Sequence, residues 1–584
     1  MMWYTDGVPL FKSSSMSLWP LYFAINELPY KKRVLKENIL IAGLWFGENK
    51  PSMCTFFKPF HNTFQQLAEG IEVSLPDERI INVQSILLCG TCDMPAKSQV
   101  LNMVQFNGMY GCSRCLQPGE TVASGRGHTH AYPYMVDNPS GPARTWAGFR
   151  SDAEQAYEEG NRVNGVNGPS WMLYLFDVVR GTALDYMHQI LLGVTRKLTH
   201  FWIDSSFHQE PYSLSKSIKI LNERLLSIKP PTFISRAPTS LSKLKFWKAS
   251  EFRSWLFYYS VPVLFGILPT IYFQHHILLV EAIHTLNSQS ISPDDIDKCE
   301  FLLHHYCALF ATLYGANTMG INVHSIVHLA DVVRDLGPLY VYSCFPYESL
   351  NGDLKSLFHG TQAIEKQIAS SVSKVIKFPV IARKMDRESP ASDLFHKLRG
   401  NVVPKGTEIS ANVHILGGIK YRTLTEEEVQ AFRNLVGDIF VDQVLSFLRL
   451  SRGQHMFSSI LYTRQFVRNS AIVSINLDGT AKFAQVQFFF KYPVGCVCIN
   501  ASPCTCANYY AVVKLFEEVP DFRLAQDDVT DASLDHLVVC KPLAANSRLA
   551  VIPLSEMTCV CIFMEFKDQD YVFIALAPNL LESD

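Results

Sequence analysis

His324 and His328, in the stretch NVHSIVHLADVV, are four residues apart and share one face of a helix. Such a pair supplies half of a tetrahedral metal site or, equally, two packed side chains at a core edge. A second half-site is offered by Cys112 and Cys115 in YGCSRCLQPG, a C-x2-C turn with zinc-knuckle spacing. From the residues alone, two completions of that knuckle stay open. The local one uses His128 and His130 of GRGHTH, which alternate in a Gly-rich loop. The long-range one uses His324 and His328 and needs the chain to return 209 residues after Cys115 (324 − 115). By itself a CxxC is equally a pair of buried thiols. In CVCINASPCTC, the cysteines Cys496, Cys498, Cys504 and Cys506 lie in strand-like sequence, where C-x-C neighbours face opposite ways and buried thiols are expected.

Three carboxylates stand out by setting. Asp6 closes the apolar run MMWYTD, Asp93 closes SILLCGTCD, and Glu348 opens the helical pattern CFPYESLNGDLKSLF. Two aspartates at the ends of adjacent strands and a glutamate from a returning helix can converge on one point. Oxygen ligands of that kind suit Mg²⁺ or Mn²⁺. Two such ions about 4 Å apart support phosphoryl transfer. Taken singly, each acid fits a helix cap or a surface charge as well. In LDYMH, Asp185 and His188 have the spacing for a hydrogen bond that fixes helix packing. Basic residues cluster in SKSIKILNERLLSIKP, in RAPTSLSKLKFWK and after Glu348, where Lys366, Lys374, Lys377, Arg383 and Lys384 form a candidate phosphate-binding stretch. A solvated helix face has the same appearance.

The elements that must position these groups change along the chain. SLWPLYFAI and NILIAGLWFG are short β-prone runs, and MCTFFKPFHNTFQQLAEGI has helical spacing and stops at Gly70. INVQSILLCGTCD reads as one buried strand ending at Asp93. Residues 120–165 are rich in Gly, Asn and Pro and read as loop. Helical patterns then run from about 170 to 385, and after about 405 short strands recur, which predicts a small barrel or sandwich. The uncharged run WLFYYSVPVLFGILPTIYF has the length of a bilayer span, but Pro262 and Pro269 break it, so a buried helix pair is expected. Of the 584 residues, 48% are hydrophobic and 18% charged, which excludes a disordered chain and favours several domains. A net charge of −2 excludes an all-over basic coat but not a local basic groove. Fifteen cysteines without a secretory leader pattern point to reduced thiols, some of them available to metal.

Five blocks, TDGVPLFKSSSMSLWPLYFAINELPYKKR, ENILIAGLWFGENKPSM, CDMPAKSQVLNMVQFNGMYGCSRC, LDYMHQILLGVTRKL and HSIVHLADVVRDLGPLYVYSCFPYESLNGDLK, resemble in the same order the transposase domain of animal relatives of CACTA (EnSpm-type) DNA transposons. The resemblance covers residues 1 to about 390. It implies an RNase H-like α/β core in two parts, 1–120 and 321–400, interrupted by a helical insertion at 121–320; the recurring strands beyond it give the β-rich domain at 408–584. It also implies a DDE triad of Asp6, Asp93 and Glu348 holding two Mg²⁺ or Mn²⁺ ions. In the related V(D)J recombinase catalytic subunit a CxxC follows the second aspartate and a histidine pair precedes the glutamate, together holding one zinc. The resemblance therefore favours Cys112, Cys115, His324 and His328 as a structural Zn²⁺ site. Asp185 and His188 resemble the C/D-x2-H motif of several transposase insertions. The expected partner is double-stranded DNA at transposon ends, with a homodimer by analogy and a nuclear location. The alternative is a catalytically inactive, domesticated or truncated relative that survives as a DNA- or protein-binding scaffold. Only five residues precede Asp6, and relatives carry more N-terminal sequence, so a shortened copy is expected.

Overall fold

β1 (Met2–Thr5) is buried along its whole length, which the run of Trp, Tyr and Thr suits, and it sits inside a mixed sheet. The computed structural model describes residues 1–582 except 12–15, 76, 359, 361, 387, 399–405, 438–440, 442, 454, 464–466, 493–507, 520–521, 523 and 525–533. Two compact units are present. One comprises Met1–Thr199, Leu278–Asp386 and Asn579–Glu582; the other comprises His200–Ile277 and Arg387–Pro578. Along the sequence a mixed α/β region contains a helical stretch and is followed by a β-rich region.

In the first unit, β2 (Val8–Pro9) pairs with the start of β3 (Ser17–Ala24), and β3 runs antiparallel to both β1 and β4 (Leu40–Gly47). β5 (Ile71–Ser74) and β6 (Ile80–Val83) form a separate hairpin. β7 (Cys89–Thr91) lies parallel to β1 on its free side, and a parallel bridge from Gly90 to Thr182 extends the sheet beyond it. The order is thus β4-β3-β1-β7, with one parallel pair. The helices Met53–Phe57 and His61–Glu69 cross between β4 and the hairpin, and Gly70 ends the second at φ 112°. One face of the sheet carries Trp3, Trp19, Leu21 and Phe23 into a core with Phe56, Phe57, Phe64 and Phe176. Tyr4 and Tyr22 point to the opposite face.

Two expectations are corrected here. INVQSILLCGTCD is not one buried strand. Its first part is β6 in the exposed hairpin, Ile86 and Leu88 are exposed outside any strand, and only Cys89–Thr91 enters the sheet. Residues 120–165 are not simply loop. They contain the hairpin β8 (Glu120–Ser124) and β9 (Gly127–Ala131) and the helix Trp146–Glu159, which Thr145 caps and a left-handed Gly160 ends.

Gly90 faces Trp3 across β1 and β7, and a Cβ there would lie 1.9 Å from the indole. Trp3 is fully buried and has nowhere to move. Gly90→Ala is expected to lower stability by about 3 kcal/mol, read as a fall in the urea midpoint at unchanged slope.

The second unit joins helices to β-sheets. Arg224, in the helix Ile218–Ser227, is buried and donates to both carboxylate oxygens of Asp568 and to the carbonyls of Val263 and Phe265. Among the described residues all strand pairs here are antiparallel, with the long strand Thr480–Tyr492 pairing with Gln443–Phe447, Ile472–Leu477 and Asn508–Leu515. The run from Trp255 forms buried helix segments that end at Leu264, and a further helix begins at Thr270. No helix among the described residues is long and apolar enough to cross a membrane. Inside this unit His276 bonds Ser260 Oγ at 2.8 Å, and burial, with His275 adding, lowers its pKa to about 3. Below about pH 6.5 the unfolded chain therefore binds a proton that the native state refuses. Stability is expected to fall as pH drops from 6.5 toward 3, by up to about 1.4 kcal/mol per pH unit. Urea midpoints at pH 7 and pH 5 test this, and His276→Gln should flatten the decline.

Candidate functional site

Parallel pairing sets Met2 opposite Cys89, Trp3 opposite Gly90 and Tyr4 opposite Thr91. Asp6 follows β1 by one residue and Asp93 follows β7 by two, and the charge of Asp93 acts on the Asp6 carboxyl. Each is fixed locally. Asp6 Oδ1 accepts the Gly7 N–H at 2.6 Å. Asp93 caps the helix Met94–Val100 by accepting the Ala96 N–H at 2.7 Å.

Glu348 enters in the first turn of the helix Phe345–Ser356. Its Oε1 accepts a 2.9 Å hydrogen bond from Tyr4 Oη. Tyr4 precedes Asp6 by two residues on β1, so this bond draws the third carboxylate to the face that Tyr4 occupies. Burial first, and then the charges of Asp93 and Glu348, push the Asp6 carboxyl up to about 8. The Asp6 carboxyl thus keeps its proton above the ordinary carboxylate range, beside two further acids.

Beside them lies a second cluster, in which donor atoms of Asp185, His188 and Cys344 fall within 4.8 Å of one another. Asp185 is fully buried and its oxygens are already engaged. Oδ2 accepts His188 Nδ1–H at 2.7 Å and the His188 N–H at 3.0 Å, while Oδ1 accepts the Cys344 N–H at 3.0 Å. Burial acts to lower the His188 pKa, but the bond to Asp185 and the charges of Asp185, Glu348 and Asp93 raise it to about 9. This favours a protonated imidazole, anchored through Nδ1, when no metal displaces the proton. It opens a widened helical stretch, Met187–Thr195, of the kind that accumulates at functional sites.

The third group is Cys112, Cys115, His324 and His328, all buried and with donor atoms within 4.8 Å of one another. Cys112 Sγ lies 3.6 Å from His328 Nε2, Cys115 Sγ lies 3.3 Å from His324 Nε2, and the two Nε2 atoms are 3.3 Å apart. The helix tightens to 3-10 geometry over Ser325–His328 between the two histidines. Burial tends to raise the Cys112 pKa, but Cys115, His328 and His324 hold it well below the ordinary thiol range, so a thiolate is readily available. Two side chains shape the cluster from outside it. Arg144 donates to the carbonyls of Cys112, Cys115, Tyr110 and Asn164. Tyr132 stacks on His324 with ring centroids 5.0 Å apart and donates to the carbonyls of Phe106 and Gly108. Metal-binding capability is thus present in Cys/His and Asp/His/Cys donor groups.

The local histidine completion is not formed. His128 is exposed on β9, and His130 Nε2 instead faces the Pro118 carbonyl at 3.1 Å. Cys496, Cys498, Cys504 and Cys506 lie outside the described residues. Lys366, Lys374 and Lys377 are exposed on the helix Ile364–Arg383, which Arg383 ends and exposed Lys384 follows. At about 100° per residue, Lys366, Lys377 and Lys384 fall within about 20° of one another and Lys374 within about 80°. Sequence reasoning missed Tyr4, Asn351, Tyr132 and Arg144. Each reads as core or surface by type, and only the tertiary fold gives it a partner. No family model matches the chain, and no curated protein matches it.

Proposed function

We propose that the protein is a DDE-type transposase core of RNase H-like fold, which cuts DNA strands and joins the freed ends with Mg²⁺ or Mn²⁺. The observation that carries this reading is the register of β1 and β7. Continued past Tyr4 and Thr91, it would set Asp6 and Asp93 side by side, and Glu348 is tied to β1 through Tyr4. Supporting it is the sheet order β4-β3-β1-β7, three antiparallel strands and then a parallel one, with a further parallel bridge outside. An RNase H-like sheet has the same sequence of directions.

Asp6, Asp93 and Glu348 would hold the ions. Bound there, two divalent cations supply a deprotonated water and neutralise charge on the leaving oxygen. The chain's own residues do the rest. Asp93 is kept rigid by its helix cap, Glu348 by Tyr4, and His188 presents a positive charge beside the acids. A phosphate brought into this site meets preorganised charge, which is most of what phosphoryl transfer requires of a protein. Hydrolysis of the first phosphodiester leaves a 3′-hydroxyl, and that hydroxyl then displaces the 3′-oxygen at a phosphate of a second strand. The stripe formed by Lys366, Lys374, Lys377 and Lys384, about 27 Å long, suits the phosphates of a duplex.

The Cys/His group fits Zn²⁺. Bond lengths of about 2.3 Å to sulfur and about 2.05 Å to nitrogen imply tetrahedral edges of about 3.5 Å for S···N and about 3.3 Å for N···N. The observed separations are 3.6 and 3.3 Å for S···N and 3.3 Å for N···N. With four protein ligands the shell is closed, so this metal holds structure and takes no part in the reaction. Plasmid nicking by purified protein in Mn²⁺ tests the catalytic reading. Its absence from folded, metal-loaded protein supplied with cognate DNA ends would leave a binding scaffold.

A further inference from the structure

Behind Glu348 runs a one-way chain of hydrogen bonds. Tyr22 Oη donates to Asn351 Oδ1 at 2.9 Å, Asn351 Nδ2 donates to Tyr4 Oη at 3.1 Å, and Tyr4 Oη donates to Glu348 Oε1 at 2.9 Å. Asn351 lies one turn after Glu348 on the same helix. Its amide orientation is set by the Tyr22 hydroxyl, which in turn fixes the direction of the Tyr4 proton. All three side chains are buried, and the rings leave them no freedom. Tyr4 stacks on Tyr347 at 4.6 Å and on Tyr22 at 5.9 Å, nearly parallel in both cases.

The consequence falls on Glu348. One carboxylate oxygen accepts from Tyr4, which turns the carboxylate and leaves Oε2 as the oxygen with no protein hydrogen bond among the described residues. Mg²⁺ and Mn²⁺ are content with one oxygen per carboxylate in an octahedral shell, whereas Ca²⁺ gathers more oxygens and often takes both from one carboxylate. We infer that Tyr4, backed by Asn351 and Tyr22, is a positioning residue that makes Glu348 a one-oxygen ligand and so selects small octahedral divalent cations over Ca²⁺. This rests on the acidic site proposed above being a cation site.

The test is binding, not turnover. Free Mn²⁺ is followed by its electron paramagnetic resonance signal during titration of the whole chain, with Ca²⁺ as competitor. Wild type, Tyr4→Phe, Tyr22→Phe and Asp93→Asn are compared after a check of zinc content and thermal midpoint. In Tyr4→Phe the Ca²⁺:Mn²⁺ affinity ratio is expected to rise about five-fold, and in Tyr22→Phe about two-fold. Loosened packing alone would weaken both ions together and leave the ratio unmoved. An unchanged ratio in both variants, with Mn²⁺ still bound, overturns the inference. Should Tyr4→Phe fail to fold, Tyr22→Phe, at the far end of the chain of bonds, decides alone. Loss of the underlying reading looks different: Asp93→Asn would then bind Mn²⁺ as wild type does, and the inference would fall with it.

Discussion

Asp93→Asn is expected to reduce Mn²⁺-dependent nicking of supercoiled plasmid about a thousand-fold while leaving duplex affinity and thermal stability nearly untouched. The asparagine is nearly isosteric and caps a helix as well as aspartate does, so the bond to the Ala96 N–H survives. What disappears is one negative charge between two strands. Transition-state charge stabilisation of several kcal/mol by a bound metal corresponds to about three decades in rate. Glu348→Gln should behave alike, because glutamine still accepts from Tyr4. On the proposed reading, duplex affinity would come from Lys366, Lys374, Lys377 and Lys384 and should follow salt rather than these acids. Gel quantification of nicked circles, beside a binding isotherm at two salt concentrations, separates the two effects. Undiminished nicking by either variant would remove these carboxylates from the chemistry.

His328→Ala is expected to lower bound zinc from one per chain to near zero and to cost at least about 5 kcal/mol of stability, with His128→Ala as a control that changes neither. The argument is linkage. A structural zinc contributes its binding free energy to folding, on the order of 10 kcal/mol in small zinc domains. Its loss here also strands two buried thiols and one buried imidazole among the carbonyls that Arg144 gathers. Metal content by mass spectrometry and a denaturation curve give both numbers on one sample. Full zinc occupancy in His328→Ala would place the ion elsewhere.

The residues of both clusters could be read from sequence, but their convergence could not. Spacing marks Cys112 with Cys115, and His324 with His328, as half-sites. Nothing local decides which halves meet, because 209 residues separate Cys115 from His324 and only tertiary folding closes that distance. The strand-end aspartates were visible because apolar β-prone runs stop at them. The extent of the second run was misread. Asp77 lies in the turn after which β6 folds back on β5, and the apolar residues Ile86 and Leu88 stay outside the sheet. Likewise the helix Trp146–Glu159 was hidden between Gly- and Asn-rich flanks, although Thr145 and Gly160 are ordinary start and stop signals. Tyr4 gave no warning at all. A tyrosine in MMWYTD reads as core, and its role depends on a glutamate 344 residues away.

The Cys/His cluster also imposes an order on assembly during synthesis. Both strand-end aspartates and both thiols leave the ribosome early, yet the imidazoles that complete the cluster emerge about two hundred residues later, with Glu348 close behind them. Closing a loop of that length costs about 5 kcal/mol of chain entropy, which an ion gripped at both ends can offset. Until then the early half of the chain carries a soft, thiolate-rich trap and two of its three acids, but no complete acidic site. On the proposed reading, a nascent or metal-starved copy would be inert, and the capture of an ion by the cysteines and histidines would be the step that completes the acidic site.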